Sequence, residues 1–262
     1  MTVPRMHTFY DMALALLQRD IASRYRGTLL GFVWPVLNPL LILAIFSFFY
    51  TIVLGARWPG VEQAPDYTLM LYCGIIVHGL FADCVTRAPQ LILTHPTYVK
   101  RVIFPLEALG VVVVGSALFQ AAINIAILLG FTAWQHGGIP ATAFWIPLVI
   151  APFALVLLGF TWFLASLGAY FRDLQLAMPM VVLAAMFLSP IFYPISAIPA
   201  HLRPLLEWNP LTTIIEELRA VVLFGKQPDL VALALYTVAG VAVAAAGLVW
   251  FQRTRSGFAE LV

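Results

Sequence analysis

From Ala108 to Phe171 the chain carries no Asp, Glu, Lys or Arg. Soluble domains place a charge at roughly one residue in four, so an uncharged run of this length belongs in a bilayer. About 20 apolar residues suffice for one helical crossing, and the run has room for two. The turn residues of WQHGGIP, Trp134 to Pro140, divide it. The composition of the whole chain agrees: 62% of its 262 residues are hydrophobic, 10% are charged, and the mean hydropathy is +0.96.

The sparse charges bracket the other crossings. None occurs between Arg26 and Arg57, which places a first span at Leu30 to Leu54. A second covers Tyr67 to Thr86, with Asp83 near its end. Spans three and four follow at Pro105 to Ala133 and Thr142 to Tyr170, a fifth at Leu176 to Tyr193 and a sixth at Leu230 to Phe251. Continuous rather than alternating apolar runs predict helices, not a barrel. The expectation is an all-α membrane protein of six transmembrane helices.

Six spans leave both termini on one side. That side holds Arg5, Arg19, Arg24, Arg26, Arg87, Lys100, Arg101, Arg172, Arg253 and Arg255. The opposite side holds Arg57, Arg203, Arg219 and Lys226. The bias places both termini in the cytoplasm. The N-terminus MTVPRMHTFYDM lacks the apolar run of a signal peptide, so the first span is expected to direct insertion. Cys73 and Cys84, in or beside an apolar segment, read as small buried apolar residues.

Three regions outside the spans carry information. Phe9, Met12, Ala13, Leu16, Leu17 and Ile21 recur at helical spacing before span one, predicting an amphipathic helix that lies in the interface or docks on the bundle. The loop Arg87 to Pro105 breaks at His95-Pro96 and ends beside Lys100-Arg101, which leaves room for one short helix. The segment from Pro194 to Asp229 is too long for a simple turn.

Enzyme signatures do not appear. There is no phosphate-binding G-x-x-x-x-G-K-[ST], no G-x-S-x-G and no H-E-x-x-H, and the histidines are scattered. An ion-coupled transporter keeps ionisable groups deep in the membrane, whereas Asp83 and Glu107 sit near span ends and only His78 lies well inside. Asn38, Ser116, Gln120 and Asn124 are the polar residues at mid-membrane, suited to interhelical hydrogen bonds or to a polar path. The chain therefore moves or holds something without a visible energy source, and a partner that hydrolyses ATP would supply one.

Specific stretches resemble a known family. RDIASRYRGTLLGFVWPVLNPLL, Arg19 to Leu41, resembles the approach to span one of ABC-2-type polysaccharide export permeases. YFRDLQLAMP, Tyr170 to Pro179, resembles their junction of spans four and five. FLSPIFYPISAIP followed by WNPLTTIIEELR matches their external end, and FAELV, Phe258 to Val262, is similar to the ending of O-antigen export permeases. These pieces occur in order over nearly the whole chain.

The resemblance implies a homodimer joined to two copies of a separate nucleotide-binding ATPase subunit. The subunit binds ATP and Mg, and this chain carries no cofactor. The implied cargo is a lipid-linked polysaccharide, O-antigen foremost, moved across the bacterial inner membrane. Capsule and teichoic acid polymers remain alternative cargoes, and an ion-coupled carrier of a small solute is the alternative mechanism. No nucleic acid is implied. Residues 1–29 would form the cytoplasmic interface helix and residues 30–262 the transmembrane domain. The latter would contain a coupling loop at 87–105 and a periplasmic gate segment of short re-entrant helices at 194–229.

A polysaccharide is polar at its hydroxyls and apolar on its C–H faces, and aromatic rings hold such faces without fixing one register. Trp34, Phe46, Phe49 and Tyr50 in span one, Phe187, Phe192 and Tyr193 at the end of span five, and Trp208 beyond it are the candidate path residues. Each of them also suits ordinary packing. Asn38, between Pro35 and Pro39, marks an irregular point in span one that favours a protein- or pore-facing position. Coupling to the ATPase would fall on His95, Pro96, Lys100 and Arg101. Tyr25, Arg26, Arg172 and Asp173 suit either cytoplasmic anchoring or the transmission of motion.

Overall fold

The structure, a computed structural model, describes residues 6–25, 31–55, 64–100 and 104–261. All regular structure among them is helical: α1 (Met6–Tyr25), α2 (Trp34–Ser47), α3 (Ala64–Arg87), α4 (Pro96–Val99), α5 (Glu107–His136), α6 (Ile146–Tyr170), α7 (Leu174–Phe187), α8 (Arg203–Glu207), α9 (Pro210–Val222), α10 (Leu230–Thr254) and α11 (Phe258–Leu261). Among the described residues, four segments are long and apolar enough to cross a membrane: Tyr67–Gln90, Glu107–His136, Ala141–Tyr170 and Leu230–Leu261. Two further apolar segments, Trp34–Tyr50 and Leu174–Phe187, are shorter.

Small residues set the closest packing. A Cβ at Gly159 of α6 would run into the backbone of Val243 and Ala244 in α10, and one at Gly247 would run into the backbone of Gly159. Helices in lipid gain no hydrophobic drive from pairing and depend on such close approach. Ser166 and Thr254 hydroxyls meet at 2.6 Å further along the same seam. Of the four long apolar segments, the one built on α3 is the most enclosed, and Cys73 and Cys84 are buried free thiols within it.

The expected irregularity of span one is present. Pro39 lies inside α2 and has no N–H to offer the Pro35 carbonyl one turn earlier. Gln120 of α5 donates to that carbonyl at 2.8 Å and to Asn124 Oδ1 at 3.2 Å. After Ser47 the backbone widens into a π-helix, Phe48–Val53. At 1.5 Å per residue, Trp34 through Val53 reaches about 30 Å. Trp34 lies near Asp83, at the α1 end of the bundle, and Tyr50 near Tyr67, at the other.

α1 carries the predicted stripe. Met12, Ala13, Leu16, Leu17, Asp20, Ile21 and Arg24 are half-buried, while Asp11, Leu14, Gln18 and Arg19 are exposed. The stripe rests on α5, with Leu17 over Gly115. Charges fasten the helix to α3: Arg24 meets Asp83 at 2.7 Å and Arg87 meets Asp20 at 2.6 Å. α1 is thus docked on the bundle along one face.

Candidate functional site

The helix expected to reach Tyr193 stops at Phe187. Pro190 cannot continue it, and the last carbonyls of α7 need new donors. Side chains supply them. Ser189 Oγ donates to Ala185 O at 2.6 Å, Tyr193 OH to Phe187 O at 2.6 Å, and Asn209 Nδ2 to Leu188 O at 3.0 Å. Asn209 also donates to Ser189 Oγ at 3.0 Å, and its own Oδ1 accepts from Leu211 N at the start of α9. Ser189 and Asn209 therefore clasp the two ends of the intervening loop.

Behind the clasp lies Arg219. It is 1% exposed, the largest fully buried side chain among the described residues. Its Nε and Nη2 donate to Met70 O at 3.1 and 3.0 Å, Nη2 also to Ile191 O at 3.1 Å, and Nη1 to Glu216 at 2.8 Å. Ile191 sits in the notch left by Gly74 of α3. One guanidinium thus ties α9, α3 and the broken end of α7 together. Burial lowers its proton affinity, and the Glu216 carboxylate opposes that.

The segment 194–229 therefore has two parts. Pro210–Val222 is core: Leu211, Ile214, Ile215, Leu218, Val221 and Val222 are buried, Thr142 donates to Val221 O, and Tyr236 to Pro210 O. Burial raises the Glu217 carboxyl, whose Oε2 accepts from Asp229 N. Residues 195–208 are largely peripheral, anchored by the buried Leu206 and folded back by Arg203 onto the Ile198 and Ser196 carbonyls.

At this same end an aromatic cluster forms. Tyr50 stacks on Phe192 at 5.3 Å and 12°, Phe46 lies 5.6 Å from Phe192, and Phe49 meets Tyr50 edge-on at 5.5 Å. Phe187 is 5.9 Å from Phe192, and Tyr67 donates to Phe192 O at 2.9 Å. Five of the nine candidate path residues, Phe46, Phe49, Tyr50, Phe187 and Phe192, thus share one cluster, with Tyr193 hydrogen-bonded beside it. Tyr67 was missed by sequence reasoning; its place at the first turn of an apolar span was the only signal.

Trp34 and Asn38 stand elsewhere. They line a cavity of about 560 Å³ between α2, α3 and α5, with Gln120, Asn124, Arg24 and Asp83. Trp208 is 87% exposed and joins no ring pair among the described residues.

The opposite end holds the loop after α3. It is held at both ends. Pro89 fits against Gly168 in the last turn of α6, where a Cβ would strike its backbone. His95 precedes α4, with Nδ1 2.9 Å from Leu91 O. Its ring stacks on Tyr98 at 5.8 Å, and Tyr98 on Phe104 at 4.5 Å. Arg255, past α10, donates to Phe104 O at 2.8 Å and pairs with Glu107 at 3.2 Å. Lys100 is exposed. Arg172 and Asp173 are exposed in the turn between α6 and α7 and form no ion pair among the described residues. Arg26, Arg101 and the side chain of Tyr25 lie outside the described residues.

Gly168→Val is expected to lower the melting temperature of the detergent-solubilised protein, by about 1–3 kcal/mol of stability, since Pro89 must move. An unchanged melting temperature would show that the loop does not depend on this seat.

The groups an ion-coupled carrier would use are already engaged. Asp83 pairs with Arg24, Glu107 with Arg255, and His78 Nε2 lies 3.0 Å from Val182 O. Among the described residues no cluster of His, Cys, Asp and Glu is placed to hold a metal ion.

Fold and composition together define a helical membrane protein. Residues 13–223 match the profile of the ABC-2 type transporter family, and the chain belongs to that family. It is similar to the O-antigen export system permease protein RfbA of Myxococcus xanthus, 25% identical over 99% of this chain and 98% of that one. The protein of the same name in Klebsiella pneumoniae is 24% identical over 97% and 95%. The polysialic acid transport protein KpsM of Escherichia coli is 26% identical over 80% of this chain and 81% of its own length.

Proposed function

We propose that this chain is the membrane subunit of an ABC exporter that moves a lipid-linked polysaccharide, O-antigen in the first instance, across the bacterial inner membrane. The observation that carries the reading is the end-to-end match to O-antigen export permeases, against a match over 80% to the capsule-type relative. ATP is bound and hydrolysed with Mg by a separate subunit. The working unit is two copies of this chain with two ATPase subunits.

α2 with its π-helical extension and α7 complete six spans, the Arg87–Pro105 end faces the cytoplasm, and both termini lie there, as the basic bias supports. α4 is the coupling helix, with His95, Pro96, Lys100 and Arg101 toward the ATPase. The seating of Pro89 against α6 gives a mechanical route from that loop, through the Arg172-Asp173 turn, to α7. α7 ends in the aromatic cluster, where Phe46, Phe49, Tyr50, Phe187, Phe192 and Tyr193 offer ring faces to a sliding sugar chain. Trp34 and Asn38 serve the same path nearer the cytoplasm. The peripheral loop 195–208, bearing Trp208, is the moving part of the gate, and α9 is its fixed post.

Phe192→Ala and Tyr50→Ala are each expected to lower export about tenfold, because each removes a stacking partner. ATP hydrolysis should continue in both. Full export in either variant would remove the cluster from the path. The reading as a whole is tested by co-purification. The chain should bring down an ATPase subunit whose activity in the complex requires the Arg87–Pro105 loop. A chain that purifies alone and transports without an ATPase would overturn it.

A further inference from the structure

Between α1, the loop after α3 and the first turns of α5 lies a second cavity, of about 500 Å³. Its composition is two-sided. Leu16, Leu91, Leu109, Val112 and Val113 make an apolar lining. Arg19, Arg87, Ser23, His95 and Tyr98 make a polar one, rich in hydrogen-bond donors, together with Asp20.

The charges are not balanced within it. Asp20 is the one carboxylate of the lining, and it is engaged by Arg87 at 2.6 Å and approached by Arg24 at 3.7 Å. Arg24 itself is held by Asp83. Among the described residues, Arg87 Nη1 is a buried donor and Asp20 Oδ2 a buried acceptor without a hydrogen-bond partner. Arg19 is exposed, and its contact in the cavity is a long one, 3.4 Å from Tyr98 OH. Two guanidinium groups facing one carboxylate leave a net positive site. Its donors are of the kind that hold phosphate oxygens.

We propose that this cavity binds the phosphate of an anionic lipid, with the headgroup at Arg19 and Arg87 and the first methylenes of a chain against Leu16 and the α5 residues. The shared chemistry, a phosphate ester, could come from a free phosphate, but an apolar lining has no use for one. The position adds weight. The cavity is walled on one side by the half-buried face of α1 and on the other by His95 and Tyr98 beside α4. A lipid seated there would brace α1 against the loop that precedes α5. The inference needs neither the ATPase nor the polysaccharide, so it stands or falls separately from the exporter reading.

The test uses the full purified chain and a fluorescent phosphatidylglycerol, with Arg19→Ala as the main variant. Arg19 makes no ion pair among the described residues, so this variant is expected to fold. Its affinity should fall about tenfold, the worth of one charge-assisted contact. Arg19→Lys should recover part of the loss. Arg253→Ala, an exposed cation at the same end but outside the cavity, should change nothing. Equal weakening by Arg253→Ala would mean diffuse attraction to a basic surface and would overturn the site. Inorganic phosphate should compete poorly. If it competes as well as a short-chain phosphatidylglycerol, the ligand is a free anion and the lipid assignment fails.

Discussion

Arg219→Ala is expected to cost about 4 kcal/mol of stability and to abolish export. The side chain fills a fully buried position, so truncation leaves a cavity. It also strips the Arg219 donors from Ile191 O, which lies outside any helix, and from Met70 O, which keeps its helical bond within α3. A stranded acceptor costs roughly 1–3 kcal/mol, and the cavity adds to that. Lysine is a poor substitute, because a single ammonium cannot span the acceptors that the planar guanidinium reaches together. Arg219→Lys should therefore fall between wild type and alanine in thermal unfolding. A variant with wild-type stability would mean that the tie between α9, α3 and the α7 break is dispensable.

Gly159→Val is the second large effect. The α6–α10 seam brings backbones into contact at Gly159 and Gly247, and a branched side chain there meets carbonyl and amide atoms rather than movable side chains. The helices must separate along the seam, losing the Ser166–Thr254 contact and the packing around it. A cost at or above about 3 kcal/mol is expected. Membrane-inserted protein should then be degraded or aggregate on solubilisation. Retention of a monodisperse, folded protein would contradict the close packing described.

The positions of the apolar helices were legible because charge is costly in lipid and therefore marks their ends. Glu107, Arg172 and Asp229 each stand within a residue or two of a helix boundary. The end of α7 was not legible to the residue. The apolar run continues to Tyr193, and the break at Phe187 rests on Pro190 together with the rescue of the last carbonyls by Ser189, Tyr193 and Asn209. Arg219 counted in the sequence as one more external cation. Its burial follows from where α9 packs, and a charge tally cannot reveal that.

The candidate site was half legible. Aromatic residues at the ends of spans one and five stood out in the sequence as path candidates, but that Tyr50 and Phe192 stack on each other was not legible there. Trp208 belonged to the same reading on composition, yet it stands exposed on the peripheral loop. The pairs Arg24–Asp83, Arg87–Asp20 and Arg255–Glu107 join residues 59, 67 and 148 apart, and no local pattern encodes such partners. Gln120 shows the same limit, for its partner at Pro35 exists because Pro39 lacks an N–H.

The most direct test is ATP-driven export in inside-out vesicles containing this chain, its ATPase subunit and a lipid-linked polysaccharide. Polymer should become protected inside the vesicles only when both subunits and ATP with Mg are present, and dissipating the proton gradient should leave the rate unchanged. Protection by this chain alone, driven by an ion gradient and indifferent to ATP, would contradict the account.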